Sequence, residues 1–301
     1  MCTYATILVL LLTVPAYAVD TLQVTTPDPV LERWRWTTFD ESSGLAGSLR
    51  EIYEDRDGNV WFGTDAGVQR YDGLHWVTYT TEDGLANNLV LSILHARDGA
   101  MWFGTGGGVS RFESSSPSAP GQSLAGSSEG TRQPNQGVWT TYTTKDGLAA
   151  DRVFELVQTR DGSIWAGSWI NNDDSGTKSG ISQFDGEHWN VVEVPVGPPR
   201  PAIVDILEAR DGSLWFTTRF HGILRLDDTG WSRYSTENDL PNDSLAWMME
   251  SRDGTLWFAH GLAGITRFDP ALAQSGQDAW KTYTTEDGLP PTGQYGFISV
   301  W

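Results

Sequence analysis

Short apolar runs alternate along the chain with Asp-Gly turns and Ser/Thr/Asn-rich connectors, and no window keeps the 3.6-residue period of an amphipathic helix. One arrangement recurs five times. A mostly apolar run (49–54, 90–95, 153–158, 203–208 and 245–250) precedes the phrases RDGNVWFGT (56–64), RDGAMWFGT (97–105), RDGSIWAGS (160–168), RDGSLWFTT (210–218) and RDGTLWFAH (252–260). Next come GVQRY (67–71), GVSRF (108–112), GISQF (180–184), GILRL (222–226) and GITRF (264–268). An aromatic pair follows: Trp76 and Tyr79, Trp139 and Tyr142, Trp231 and Tyr234, Trp280 and Tyr283, with Val192 in the Tyr place after Trp189. The connectors TEDGLANN, TKDGLAAD, TENDLPND and TEDGLPPT lead from one unit towards the next.

Each unit therefore predicts four short strands, A to D. Asp-Gly between A and B suits a tight hairpin in which both central residues take positive φ. Strand A is apolar on both faces, as an innermost strand is, and strand D alternates aromatic and Thr, as a half-exposed outer strand does. A period of roughly 42 residues with four antiparallel strands per repeat predicts an all-β fold, a β-propeller of four-stranded antiparallel blades. A helical solenoid is excluded by the missing helical period and the recurring glycines.

Two insertions stretch the period. Residues 114–136, rich in Ser, Gly and Pro, separate strands C and D of the second blade, and residues 169–179 separate B and C of the third. The low complexity of the first predicts disorder. Strand direction alternates, so A–B and C–D turns share one face, B–C loops and D–A connectors share the other, and the two insertions lie on opposite faces. Trp36-Thr37-Thr38-Phe39 matches strand D, and the last connector runs into a strand A with the next Arg-Asp-Gly due at about residue 300. The expectation is five complete blades with partial blades at both ends, within an incomplete propeller over 34–301 cut from a longer array.

The segment before it changes the compartment. An apolar run from Ile7 to Val14 and the pattern Ala16-Tyr17-Ala18 predict a signal peptide over 1–18, followed by a linker over 19–33 and a periplasmic or secreted location. The start of the chain departs from the usual signal in having no Lys or Arg. The single cysteine, Cys2, falls inside it, so no disulfide is expected. The balance of 20 basic against 39 acidic residues, net −19, disfavours nucleic acid and anionic membrane surfaces as partners. No further apolar stretch predicts a membrane span, and the chain carries no P-loop, GxSxG elbow or metal-spaced His pair, so no cofactor is expected.

The trio RDGxxWFGT, GVxRF and W-x-x-Y with DGL connectors resembles the two-component regulator propeller repeat, the periplasmic sensor region of hybrid histidine kinases. The resemblance covers nearly all of 34–301 outside the insertions. It implies a non-catalytic, extracytoplasmic ligand-sensing propeller, a small-molecule or oligosaccharide ligand, and a downstream kinase region that this chain does not contain. DGSLWFTT followed by HGILRLDD also resembles propeller lyases of the streptogramin-inactivating type, which implies a divalent metal and a loop-face His, here His221 or His260. A secreted protein-binding scaffold is the third reading.

Residues shared by all copies are expected to build the blades: the Trp series as plugs between neighbouring blades, Asp as the turn-former, Arg as a solvated or locally paired flank. Departures from the repeat are the better functional candidates. On the B–C loop face these are Trp169, Arg219, Phe220, His221 and His260, with Asn87, Asn88, Arg152, Asn242 and Asp243 of the connectors. Glu51, Ser92, Glu155, Asp205 and Trp247 share one position in strand A. If that position faces a central channel, Glu51, Glu155 and Asp205 are candidates for a Ca²⁺ or Mg²⁺ site or for a hydrated lining. The loop opening at Asn171-Asn172-Asp173-Asp174 starts like a calcium loop but lacks the Glu that would close it.

Overall fold

The structure is a computed structural model that describes residues 38–114, 137–169, 179–238, 240–260 and 263–289. The expected signal peptide and linker, most of both insertions, the calcium-like loop and the expected final strand A lie outside the described residues. The described residues fall into two units, one ending at Leu45 and one beginning at Ala46. In the first, Asp40 caps a short 3-10 turn, Glu41–Ser43, through the N–H groups of Ser42 and Ser43. The second holds every strand described.

Those strands form five four-stranded antiparallel sheets, each ordered as the chain runs. Blade 1 is β1 (Leu49–Glu54), β2 (Val60–Thr64), β3 (Val68–Tyr71) and β4 (Trp76–Tyr79); blade 2 is β5 (Val90–His95), β6 (Met101–Thr105), β7 (Gly108–Ser114) and β8 (Gly137–Tyr142). Blade 3 is β9 (Val153–Gln158), β10 (Ile164–Ser168), β11 (Gly180–Phe184) and β12 (Trp189–Val192). Blade 4 is β13 (Ile203–Glu208), β14 (Leu214–Thr218), β15 (Ile223–Asp227) and β16 (Gly230–Tyr234), and blade 5 is β17 (Leu245–Glu250), β18 (Leu256–His260), β19 (Gly264–Phe268) and β20 (Trp280–Tyr283). One helical turn, α1 (Pro270–Gln274), extends the C–D connection of blade 5 behind an Asp269 cap. The expected all-β propeller and its five complete blades are present.

The A–B turn differs from the expected two-residue hairpin. In blade 1 Gly58 N–H donates to Asp55 C=O (3.0 Å) and Asp55 N–H to Asn59 C=O (2.9 Å), and the other four blades repeat the pattern. This is a three-residue Arg-Asp-Gly loop in which the Gly takes the left-handed conformation, with φ between 81° and 97° in the five copies. The Asp braces the loop by accepting the N–H two residues on: Asp98 from Ala100, Asp161 from Ser163, Asp211 from Ser213 and Asp253 from Thr255.

The Trp of each of the first four phrases fills the gap to the next blade. Trp102 is 1% exposed and packs on Phe184 and Trp189 of blade 3, while Trp215 meets Phe258 and Phe268 of blade 5. The strand D tyrosine stacks on the same ring, as in Trp102–Tyr142 at 5.8 Å and Trp215–Tyr234 at 5.8 Å. The strand C arginine lies over it: Arg111 over Trp102 and Arg225 over Trp215, each then held by the loop carboxylate, Asp98 or Asp211. The three motifs thus recur together because they are one contact set. Blade 3 lacks two members of it, with Gln183 for the arginine and Val192 for the tyrosine.

Two devices set the distance between blades. The small residue after the aromatic pair allows close approach, since a Cβ on Gly104 would stand 3.1 Å from Val153 of the next blade's strand A. The connector forms a 3-10 turn closed by a capping box, Thr143 with Asp146 and Thr284 with Asp287, and ends on a left-handed Gly. Its Leu is buried, as at Leu85, Leu148 and Leu240.

The arginines of the phrase, expected as a solvated or locally paired flank, are exposed, and four of them also clasp the next blade. Nη1 of Arg56 donates to the carbonyl of Arg97 (3.4 Å), Arg97 to Arg160 (2.9 Å), Arg160 to Arg210 (3.0 Å) and Arg210 to Arg252 (2.6 Å). Nη2 of Arg160 also reaches Ala209 C=O at 2.7 Å. The backbone N–H groups of Arg97, Arg160 and Arg210 donate to Gln158, Glu208 and Glu250, the last residues of the next strand A. A planar fork with fixed N–H directions suits two neighbouring carbonyls.

Arg160→Ala is expected to lower stability by about 1–2 kcal/mol, the size of two charge-assisted bonds at a wet surface, read as a lower urea midpoint with an unchanged m-value. Arg160→Lys, which keeps the charge without the fork, is expected to fall between the variant and the parent.

Candidate functional site

Strand A carries the first group of candidates. In every blade its register slips by one residue near its start: Leu49 pairs with Thr64 but Glu51 with Gly63, Val90 with Thr105 but Ser92 with Gly104, and likewise at 153/155, 203/205 and 245/247. Such a bulge re-aims the side chains on either side of it. After it stand Glu51, Ser92, Glu155, Asp205 and Trp247, one from each innermost strand.

These positions tie neighbouring blades together. Asp205 accepts the N–H of Met248 (2.8 Å), and Ser92 Oγ accepts that of Leu156 (3.1 Å). The charge of Asp205 in blade 4 is felt at Glu51 of blade 1. Burial, aided by that charge, pushes Glu51 up to about 7. Burial likewise pushes Asp205 up to about 7, against the backbone N–H donors of Met248 and Ile206. Glu155 is raised well above the usual carboxylate range by burial, then by the charges of Asp205 and Glu51. A shared, partly desolvated setting cannot hold three full charges at neutral pH. Among the described residues no three His, Cys, Asp or Glu groups converge closely enough to hold a metal ion.

On the loop face the structure separates the other candidates into two sets. Asn88 Oδ1 accepts Thr81 N–H and Asn87 Oδ1 accepts Leu89 N–H, which shapes the connector. Asn242 accepts Ser244 N–H, and Asp243 accepts both the N–H and the hydroxyl of Thr236. His260 is 3% exposed, with Nδ1 3.0 Å from Asn242 C=O and Nε2 2.8 Å from Thr266 Oγ1. Burial lowers its pKa to about 4, so it is neutral and fully engaged. These side chains hold the connectors together.

The other set is brought together across blades 3 and 4. The Arg152 guanidinium lies 5.1 Å from the Phe154 ring, Phe154 lies 4.9 Å from Trp169, and Arg219 lies 5.4 Å from Trp169 and 5.8 Å from Phe220. Phe220 is 55% exposed and meets the ring of His221 edge-on. Nε of Arg152, Nε of Arg219 and Nδ1 of His221 are buried atoms without a hydrogen-bond partner. Burial, then the charge of Arg233, lowers the His221 pKa, so its ring is neutral at pH 7. The arrangement is a polar, aromatic platform with its donors already desolvated.

Phe154 is the member that the repeat comparison misses. It reads as one more apolar residue of a buried strand, yet it is the extra residue of the bulge, where other blades have Arg50, Leu91, Val204 and Ala246. On the opposite face, a shallow hollow at the turns of blade 4 is lined by Asp211, Arg225 and Asp227, which already pair with one another.

The raised carboxylates set a pH dependence. Their folded pKa values exceed the unfolded ones, so the stability they allow is full below about pH 4 and is lost as the pH rises through about 7. The melting temperature is expected to be lower at pH 8 than at pH 5.5, and Glu155→Gln to flatten that fall. Asp253, lowered to about 2 by its Ser251 and Thr255 bonds, acts in the opposite sense but only in more acid solution.

Residues 44–66 and 84–107 match the family model described as two component regulator propeller. None of the curated proteins compared with the chain matches it. Among solved structures it is similar to the extracellular domain of a hybrid two component system from B. thetaiotaomicron, at 22% identity and a TM-score of 0.60, over 83% of this chain and 31% of that one. It is also similar to a catalytically inactive virginiamycin B lyase from Staphylococcus aureus with quinupristin, at 15% identity and 0.57, over 81% and 72% of the two chains. PorZ, a surface component of the type-IX secretion system of Porphyromonas gingivalis, follows at 13% and 0.53, over 80% and 34%. At these identities the likeness is one of fold, and the fold occurs in a hybrid two component system, a lyase and a secretion-system component alike. The chain spans about a third of the length of the hybrid-system domain. Taken with the five sheets, the family match makes the chain a β-propeller that carries two-component regulator propeller repeats at 44–66 and 84–107.

Proposed function

We propose that this propeller is the extracytoplasmic ligand-sensing part of a two-component regulator and binds a polar ligand, an oligosaccharide by preference, on the loop face of blades 3 and 4. The observation that carries the reading is the cation–aromatic row from Arg152 through Phe154 and Trp169 to Arg219. Aromatic faces take up the apolar C–H face of a sugar ring, and desolvated donors beside them fix its hydroxyls. Blade 3 supports the reading from another side. Its scaffold contact set is incomplete at Gln183 and Val192, while Trp169, next to its strand B, is turned to the platform. Binding without covalent chemistry is the role, and the partner that receives the signal is a kinase region outside this chain. Among the described residues no helix is long and apolar enough to cross a membrane.

A ring-opening lyase would have to act through His221, since both ring nitrogens of His260 are engaged and Nδ1 of His221 is free. Incubation of the chain with a streptogramin and Mg²⁺, with His221→Ala as control, tests that reading directly.

Calorimetry and thermal-shift screening of the 301-residue chain against a panel of neutral and acidic oligosaccharides test the sensor reading. A binder is expected, and Trp169→Ala is expected to weaken it tenfold or more, the usual worth of a stacked aromatic anchor. The variant should melt within a few degrees of the parent, because Trp169 lies outside the blade cores. A broad panel without a binder would overturn the assignment.

A further inference from the structure

We infer that the platform selects an anion borne on a ring: a carboxylate or sulfate next to a flat apolar face, as in a sugar acid. The inference rests on the binding reading above and adds the charge of the ligand to it.

The arginines that lie on aromatic rings differ in what holds them. Arg111 on Trp102 is held by Asp98 and Glu113, both at 2.9 Å, and Arg225 on Trp215 by Asp211 and Asp227 at 3.3 and 3.1 Å. Arg152 and Arg219 have the same kind of ring contact and no carboxylate partner among the described residues. A single guanidinium of this sort also lies on Trp61, at Arg70. Among the described residues only the platform joins two of them through touching rings, Phe154 and Trp169.

The surroundings sharpen the contrast. With 39 acidic residues against 20 basic ones, the chain has carboxylates to spare for pairing with an arginine. Two carboxylates of the connectors beside the platform are occupied elsewhere: Asp151 accepts Thr144 N–H at 2.6 Å, and Asp243 is held by Thr236. Two positive charges are therefore kept together with their Nε atoms buried and unpaired. Such atoms carry a desolvation cost that a ligand oxygen removes when it binds. Guanidinium edges are shaped for carboxylate and sulfate oxygens, and a charge-assisted pair there is about twice as strong as a neutral bond. The ring requirement comes from Phe154 and Trp169, which separate the two guanidiniums and leave an aromatic surface between them. His221 Nδ1 adds a neutral polar atom on the Arg219 side of the row.

The test is calorimetry on the 301-residue chain with four probes: trigalacturonate, its neutral methyl ester, benzoate and inorganic sulfate. The acid trisaccharide is expected to bind, with the ester at least tenfold weaker and affinity falling as salt rises. Arg152→Gln and Arg219→Gln are each expected to cost tenfold or more for the acid and markedly less for the ester, with melting temperatures close to the parent's. Binding of benzoate with the same arginine dependence would support the ring-borne anion and make an aromatic acid its source. Equal binding of acid and ester, arginine variants without effect, or sulfate binding as tightly as the ring acids would each overturn the inference and leave the sensor reading standing. No acid binding while a neutral oligosaccharide binds would do the same. Silence across both panels would overturn the inference and the sensor reading together.

Discussion

A four-stranded sheet with apolar residues on both faces cannot bury itself. Trp102 and Trp215 reach 1% exposure only because the next blade supplies Phe184 and Trp189, or Phe258 and Phe268, against the ring. Everything else in the structure follows from this dependence of each sheet on its neighbour. The small residues in strand B let the next strand A approach, the connector Leu seals the gap below, and the arginine fork closes it at the turn face. A large ring buried between sheets is worth more than any of the polar contacts around it, so those contacts position the blades and the rings hold them.

The sequence carried the architecture because the fold is periodic. Strand bounds, sheet order and the Trp plugs could be read from five aligned copies, since a residue needed in every blade appears in every blade. Geometry that depends on a specific partner was less visible. The A–B turn was expected to have two residues at positive φ, whereas Asp-Gly closes a three-residue loop whose Arg is also inside it. That Arg was expected to be solvated or locally paired, and its distant partner was not legible, because the acceptor is a main-chain carbonyl some 41 to 63 residues away and a carbonyl leaves no mark on a sequence. The carboxylates of strand A were placed correctly as one shared position, but the bulge that brings them there is silent in composition.

The platform shows the same division. Trp169, Arg219, His221 and Arg152 stood out because they break the repeat, and the structure brings them together. Asn88, Asn242 and His260 broke it too, yet their polar atoms bond to the connectors, which shows that a departure from a repeat can serve local structure as well as a site. Phe154 escaped notice for the converse reason. It conforms to the apolar pattern of strand A while a one-residue slip in register takes it out of that pattern. Function in a repeat protein is concentrated where periodicity fails, whether the failure is in residue type or only in geometry.

The arginine clasp has a consequence for how such arrays grow. Each three-residue loop carries the donor of one joint and the acceptor of another: Arg160 gives a fork to the blade ahead and a carbonyl to the blade behind. A duplicated unit therefore brings a donor for one joint and an acceptor for the other, and the acceptor, being main chain, tolerates substitution of the side chain it belongs to. Copying a segment of DNA adds a blade that fits without any matching change in its neighbours.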